Sequence, residues 1–199
     1  MKKRILTALL SIAMVLSFAA CGGKDTNNNN SSNSDKNPGN SQSATKSTVD
    51  VLNNVWNKFP QEDKFFAMGG DNANMQEDKA GKFSTTDTEG LKHTLHISDD
   101  AIALVDEAAS LIHSMNANTF TAASFSLKDK SKKDDFANSL KESIKGTQWM
   151  CGFPETLVIY TVDDYVVYAL GNADLIKTFK TTLEKTYSDA KLVTEEALA

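Results

Sequence analysis

From Thr48 onward, apolar and polar residues alternate in short, distinct rhythms. Val51, Leu52, Val55, Trp56 and Phe59 recur at helical spacing, and Pro60 closes that segment. Lys64 to Met68 predicts a short strand ended by Gly69-Gly70, and a polar loop follows through Asp71, Glu77 and Asp78 to Gly81. Asp87 to Leu95 predicts a short helix with Leu91 and Leu95 on one face. A longer helix is expected from Ser98, with Asp99 and Asp100 in its first turn, where the helix dipole favours acids. Ile102, Val105, Ala109 and Ile112 form one stripe of it, with Leu104, Ala108, Leu111 and Met115 beside them. A stripe that wide implies a helix buried on much of its circumference.

The remainder is more regular. Thr119 to Leu127, rich in Thr, Phe and Ala, reads as a strand. Phe136, Leu140 and Ile144 recur every four residues, so Asp134 to Lys145 is a helix, stopped by Gly146. Leu157 to Val162 and Tyr165 to Leu170 are β-branched and aromatic runs separated by Asp163-Asp164, a hairpin signature. Asn172 caps a helix carrying Leu175, Ile176, Phe179, Leu183 and Tyr187, and Lys191 to Glu195 forms a short edge strand. In chain order this is β-α-β-β-α-β. The expected fold is therefore α+β, with a C-terminal ferredoxin-like, antiparallel sheet that carries both helices on one face. The helices before Thr119 would pack on it. Residues 48–199, about 150 in number, suit a single globular domain.

The first 47 residues obey a different logic. Lys2, Lys3 and Arg4 lead into the apolar run Ile5 to Val15, and Phe18-Ala19-Ala20 precedes Cys21. A charged start, an apolar run and a small-residue cleavage site make residues 1–20 an export signal. Ile5 to Ala20 is short for a membrane span, which needs about 20 apolar residues. Ala19, Ala20 and Cys21 resemble the lipobox of bacterial lipoproteins, with Phe18 where that pattern usually has Leu. The resemblance implies that Cys21 takes a diacylglycerol and becomes the new N-terminus, and two acyl chains suffice for stable anchoring. Residues 21–47, with Asn27-Asn28-Asn29-Asn30, Ser31-Ser32 and Pro38-Gly39, are too polar to bury a core and read as a disordered tether. Such a coil reaches about 25–30 Å on average and roughly 90 Å fully stretched. The expected location is the outer face of the cytoplasmic membrane, with the lipid on Cys21 as the contact with the bilayer.

Charge narrows the partners. Loss of the signal takes three of the 21 basic residues and none of the 26 acidic ones, leaving 18 against 26 and a net of −8. Nucleic acid is a poor partner for such a chain, because affinity there comes mostly from cations that neutralise phosphates. Anionic head groups and wall polymers should be repelled for the same reason.

The chain has two cysteines. With Cys21 acylated, Cys151 has no partner within the chain and forms no internal disulfide. It sits in Trp149-Met150-Cys151-Gly152-Phe153-Pro154, with no Lys, Arg or His within three residues, a setting for a packed rather than a reactive thiol.

Met115-Asn116-Ala117-Asn118-Thr119-Phe120, the stretch Gln148 to Glu155, and Asp164-Tyr165-Val166-Val167 resemble segments of small lipoproteins from Gram-positive gut anaerobes. That resemblance implies an exported, acylated domain and brings no catalytic residues with it.

Several residue groups invite a chemical reading. His93 and His96 lie three apart and would hold zinc only with an added Asp or Glu; otherwise they are surface histidines, and no zinc motif accompanies them. Cys151 with His113, His93 or His96 would make a thiol-imidazole pair if the fold brought them together. The acidic residues of Asp71 to Asp78 lack calcium-loop spacing and read as a solvated loop, while Gly69-Gly70 lacks the residues of a phosphate cradle. Trp149, Phe153 and Pro154 form either a partner-binding patch or a plug on the end of the core. No metal or cofactor is expected. The reading favoured is a membrane-anchored, extracytoplasmic lipoprotein acting as a non-enzymatic binding or accessory module, with a protein partner at the cell envelope. The alternatives are a thiol-dependent enzyme or redox protein using Cys151, and a small-ligand receptor.

Overall fold

Helices cover both faces of the sheet, because its central strands point apolar side chains in both directions. The structure, a computed structural model, describes residues 47–150 and 152–198. Cys21, the expected export signal, nearly all of the expected tether and Cys151 lie outside the described residues. Helix α1 (Thr48–Trp56) is followed by strands β1 (Ala67–Gly69), β2 (Gln76–Glu77) and β3 (Gly81–Phe83) and by helices α2 (Thr88–His93) and α3 (Asp99–Ile102). Next come β4 (Val105–His113), β5 (Phe120–Leu127), α4 (Lys133–Lys145), β6 (Thr156–Val162), β7 (Tyr165–Gly171), α5 (Ala173–Thr186) and β8 (Lys191–Ala197). No helix among the described residues is long and apolar enough to cross a membrane.

Eight strands pair antiparallel in the order β2-β1-β4-β5-β7-β6-β8, with β3 alongside β4. β1 takes residues 111–113 of β4 and β3 takes 108–110, so the two short strands lie end to end on one edge. At their junction backbone meets backbone. A Cβ on Gly69 would lie 2.3 Å from the Gly81 nitrogen, which leaves no room for any side chain.

The helices start where the chain supplies caps. Ser47 Oγ accepts the Asp50 N–H at 3.2 Å and donates to the Asp50 carboxylate at 2.9 Å, opening α1. Asp87 caps α2 through the Gly90 N–H, and Asn172 caps α5 through the N–H groups of Asp174 and Leu175. One face of the sheet packs on Val51, Leu52, Val55 and Trp56 of α1 and on Ile176, Phe179 and Leu183 of α5. The other packs on Leu91 of α2, Ala101 of α3, and Phe136, Leu140 and Ile144 of α4.

Two expectations are corrected. The long helix expected from Ser98 ends at Ile102, and Val105–His113 is instead the strand β4. A strand buried on both faces reads as a nearly continuous apolar run, and Ala108 to Ile112 suits helical and extended periods alike. The second correction concerns α4 and α5, which lie on opposite faces of the sheet and not on one. Both crossovers, β5-α4-β6 and β7-α5-β8, skip one strand in the same direction across the sheet. They depart from antiparallel strands. Crossovers of one hand, the right-handed sense such connections take, then place their helices on opposite faces. The β-α-β-β-α-β element order stands as expected.

Two substitutions test this packing by urea unfolding. Gly69→Ala forces two backbones apart and should cost about 2–3 kcal/mol. Ser124 Oγ is buried in β5 without a hydrogen-bond partner. Ser124→Ala should therefore leave stability unchanged or raise it by up to about 1 kcal/mol, because it removes an unsatisfied polar group.

Candidate functional site

At one end of the sheet, two stretches without a single charged residue meet: Ser114–Phe120, joining β4 to β5, and Gly146–Pro154, joining α4 to β6. Asn118 ties them, its Nδ2 donating to the Gly152 carbonyl at 3.0 Å. Asn116 Oδ1 accepts the Asn118 N–H at 3.0 Å and holds the loop's shape. Glu155, just beyond, accepts the Ala173 N–H at 2.9 Å and the Asn172 amide, fastening the second stretch to α5.

Three cavities surround the Ser114–Thr119 loop. The first, about 510 Å³, lies between α2 and the β1–β2 turn, with Met68, Phe83 and Ile112 among its lining residues. The second, about 550 Å³, has Lys92, His93, His96, Gln148, Trp149 and Met150 among its lining residues, and shares Thr94 and Ala117 with the first. The third, about 250 Å³, lies between Asn118, Phe153 and Asn172.

The Trp149–Pro154 segment answers both of its sequence readings. Trp149 turns inward: it packs against the core on the α4 face and meets His96 edge-on at 4.9 Å between ring centroids. Met150 and Phe153 turn outward, with 93% and 67% of their surface exposed. Met115, expected on a buried helical stripe, is 84% exposed.

His113 closes β4. Its ring stacks on Phe65 at 4.9 Å, and its Nδ1 accepts the N–H groups of Met115 and Asn116 at 3.3 and 3.4 Å. It therefore shapes the loop base. The pairing with Cys151 lies outside the described residues. His93 pairs with Glu89 at 3.2 Å on the surface, whereas His96 sits half-buried beyond the helix end in a left-handed conformation, φ 56°. The two imidazoles serve different surroundings. Among the described residues, no group of three or more His, Cys, Asp or Glu side chains is placed to hold a metal ion.

The polar loop after Gly69-Gly70 is less solvated than expected, because Asp71 is buried. Its carboxylate accepts the N–H groups of Ala73, Asn74 and Ser84 and both contacts of the Asn74 amide. Burial pushes the Asp71 carboxyl up, but these donors, Ser84 foremost, outweigh it and hold the group below the usual carboxylate range. Asp71 thus fixes the wall of the first cavity.

Sequence reasoning took Asp71 as part of a solvated loop, gave Asn118 no structural role and put Met115 on a buried helical stripe, whereas Met150 lies in the loop it offered as a partner-binding patch. The absence of charge from both converging stretches was the available signal. No family model, curated protein or solved structure matches the chain.

Burial against Trp149, with the charge of His93 acting the same way, pushes the His96 imidazole down to about 4. The unfolded chain takes this proton near the ordinary value of about 6.5, so between these values it binds more protons than the fold does. Stability from His96 is therefore complete above about pH 6.5 and falls by about 1–3 kcal/mol as pH drops to about 4. Urea unfolding across that window should show the loss in the parent chain. His96→Asn, which tolerates the positive φ, should remove this part of the slope.

Proposed function

We propose that the protein is a lipid-anchored, extracytoplasmic binding module, and that the two uncharged stretches meeting at one end of its sheet, Ser114–Phe120 and Gly146–Pro154, dock an apolar, uncharged segment of another protein. One observation carries the docking surface. All four methionines of the described residues, Met68, Met75, Met115 and Met150, border the two adjoining cavities beside one loop. Neither core cluster contains a methionine. Methionine is flexible and polarizable, fits irregular surfaces, and is over-used where a protein must adapt to a partner. Protein interfaces are enriched in Met and aromatic residues and depleted of charge at their centre, and the stretches Ser114–Phe120 and Gly146–Pro154 bring Met, Trp and Phe without a charged residue. The polar residues among them, Asn116, Asn118 and Gln148, offer amide groups at the rim without net charge.

The anchor rests on Lys2, Lys3, Arg4, the apolar run and Ala19-Ala20-Cys21. On this reading the docking surface lies outside the cell, joined to the anchor through the polar residues 22–46. Mass spectrometry of membrane-extracted protein should find the chain beginning at an acylated Cys21, and an uncut or unacylated terminus would overturn this part of the proposal.

The docking surface is tested by placing a photo-crosslinking residue at Met150, Phe153 or Lys191 in intact cells. The same adduct is expected from Met150 and Phe153, absent from Lys191 on the edge strand β8, and lost when Met115→Asp places a charge in the surface. Its crosslinked peptide should be apolar and uncharged. No adduct from either rim position, or equal adducts from all three positions, would show that this end of the sheet is not a docking surface.

A further inference from the structure

The first cavity has a chemistry that docking does not require. Three methionines, Met68, Met75 and Met115, line a single space of about 510 Å³. Each comes from a segment that is separately held. Met68 lies in β1 and pairs with Ile112 of β4. Met75 follows the loop fastened to Asp71 through the N–H groups of Ala73 and Asn74. The Met115 N–H is held by His113 Nδ1 at 3.3 Å. The backbones are anchored while three rotatable bonds leave each sulfur free to adjust. Met75 and Met115 are 54% and 84% exposed, so burial in the core does not account for them.

The charges around this space have one sign. Asp71, Asp87 and Glu89 line it, and no lysine or arginine does. Asp87 caps α2 through the Gly90 N–H, Glu89 pairs with His93, and the Asp71 carboxylate is filled by its own donors. Each already has a partner, and together they supply a negative field that favours a cation. His113 does not join the ligands. Its Nδ1 lone pair is directed at two backbone N–H groups, so the neutral ring keeps its proton on Nε2. Three neutral, soft sulfur donors in a negative cavity select a soft monovalent cation, and among biological metals that is Cu(I).

We infer that Met68, Met75 and Met115 form a thioether site for Cu(I). A thioether carries no proton to displace. No ligand has to lose a proton, unlike the ligands of sites built from cysteine, histidine or carboxylate; any pH dependence comes only through the charges of Asp71, Asp87, Glu89 and His113, which line the same cavity.

The test uses the full chain with Cys21→Ser and Cys151→Ser, so that no thiol competes, and titrates it with Cu(I) held by a coloured chelator under reducing conditions. One equivalent should be withdrawn, with the same affinity at about pH 7.5 and about pH 8.5, where neither the thioethers nor the lining carboxylates change protonation. Met68→Leu, Met75→Leu and Met115→Leu together should weaken binding by about 100-fold or more, a change of two decades or upward in dissociation constant. Met150→Leu should leave it unchanged. Leucine keeps volume and apolarity, so these variants should fold as the parent does. X-ray absorption of the copper-loaded parent should show sulfur neighbours, a readout that needs no variant. No withdrawal of copper, nitrogen or oxygen neighbours in place of sulfur, a strong loss at the lower pH, retention in the triple variant, or loss in Met150→Leu would each overturn the site. The docking proposal stands or falls separately, because leucine removes the sulfurs and keeps the apolar surface.

Discussion

Burial of the sheet on both faces at once is the constraint from which the rest follows. Every residue of β5 is buried, and the neighbouring β7 is buried from Val166 to Gly171. Phe120 faces α1 and α5, while Phe125 faces α4, where it meets Phe136 edge-on at 5.3 Å. An antiparallel sheet with this composition cannot leave one side to solvent, since each exposed large apolar side chain would forfeit about 1.5–3 kcal/mol. It needs helices on both faces. The chain provides them by sending successive crossovers to opposite sides and by placing α1 on one face and α2 and α3 on the other.

This layering explains where the proposed docking surface lies. With both faces covered, the sheet ends and the two edge strands are what remains for recognition. The edge strand β8 carries Lys191, Glu195 and Glu196, and the two glutamates pair with Lys180 of α5 and Lys145 of α4. Charges of this kind discourage strand addition. The end of the sheet bearing the Ser114–Thr119 loop has no such protection. Its loops are held by amide and backbone hydrogen bonds, such as Asn118 to Gly152, which leave side chains free to face outward. The methionines missing from both cores lie there, where adaptable and polarizable groups serve binding better than packing. The proposed Cu(I) coordination and the proposed docking of an apolar segment draw on one composition.

The charge balance acts at two scales. Over the whole chain, an excess of acid argues against polyanionic partners. Within the first cavity, the same sign becomes specific, because Asp71, Asp87 and Glu89 gather around uncharged sulfurs. Net charge could not foretell this. It depends on which acids the fold turns toward a common space and which already have partners.

Local patterns were legible wherever one physical signal decided the element. Capping residues, the Phe136-Leu140-Ile144 repeat and the Asp163-Asp164 hairpin place α4, β6, β7 and α5 within about one or two residues of where they lie, the usual uncertainty at element ends. The α+β class follows from those elements. The stretch from Val105 to His113 was not legible, because a doubly buried strand and a buried helix leave the same apolar record. The face on which each helix lies depends on strand order, which no local segment carries. The meeting of Met68, Met75 and Met115 likewise depends on β1 pairing with β4 across more than forty residues of sequence. Chain-local energetics settle elements one at a time, whereas sites arise from long-range pairing, and pairing is chosen by how all the apolar faces are covered together.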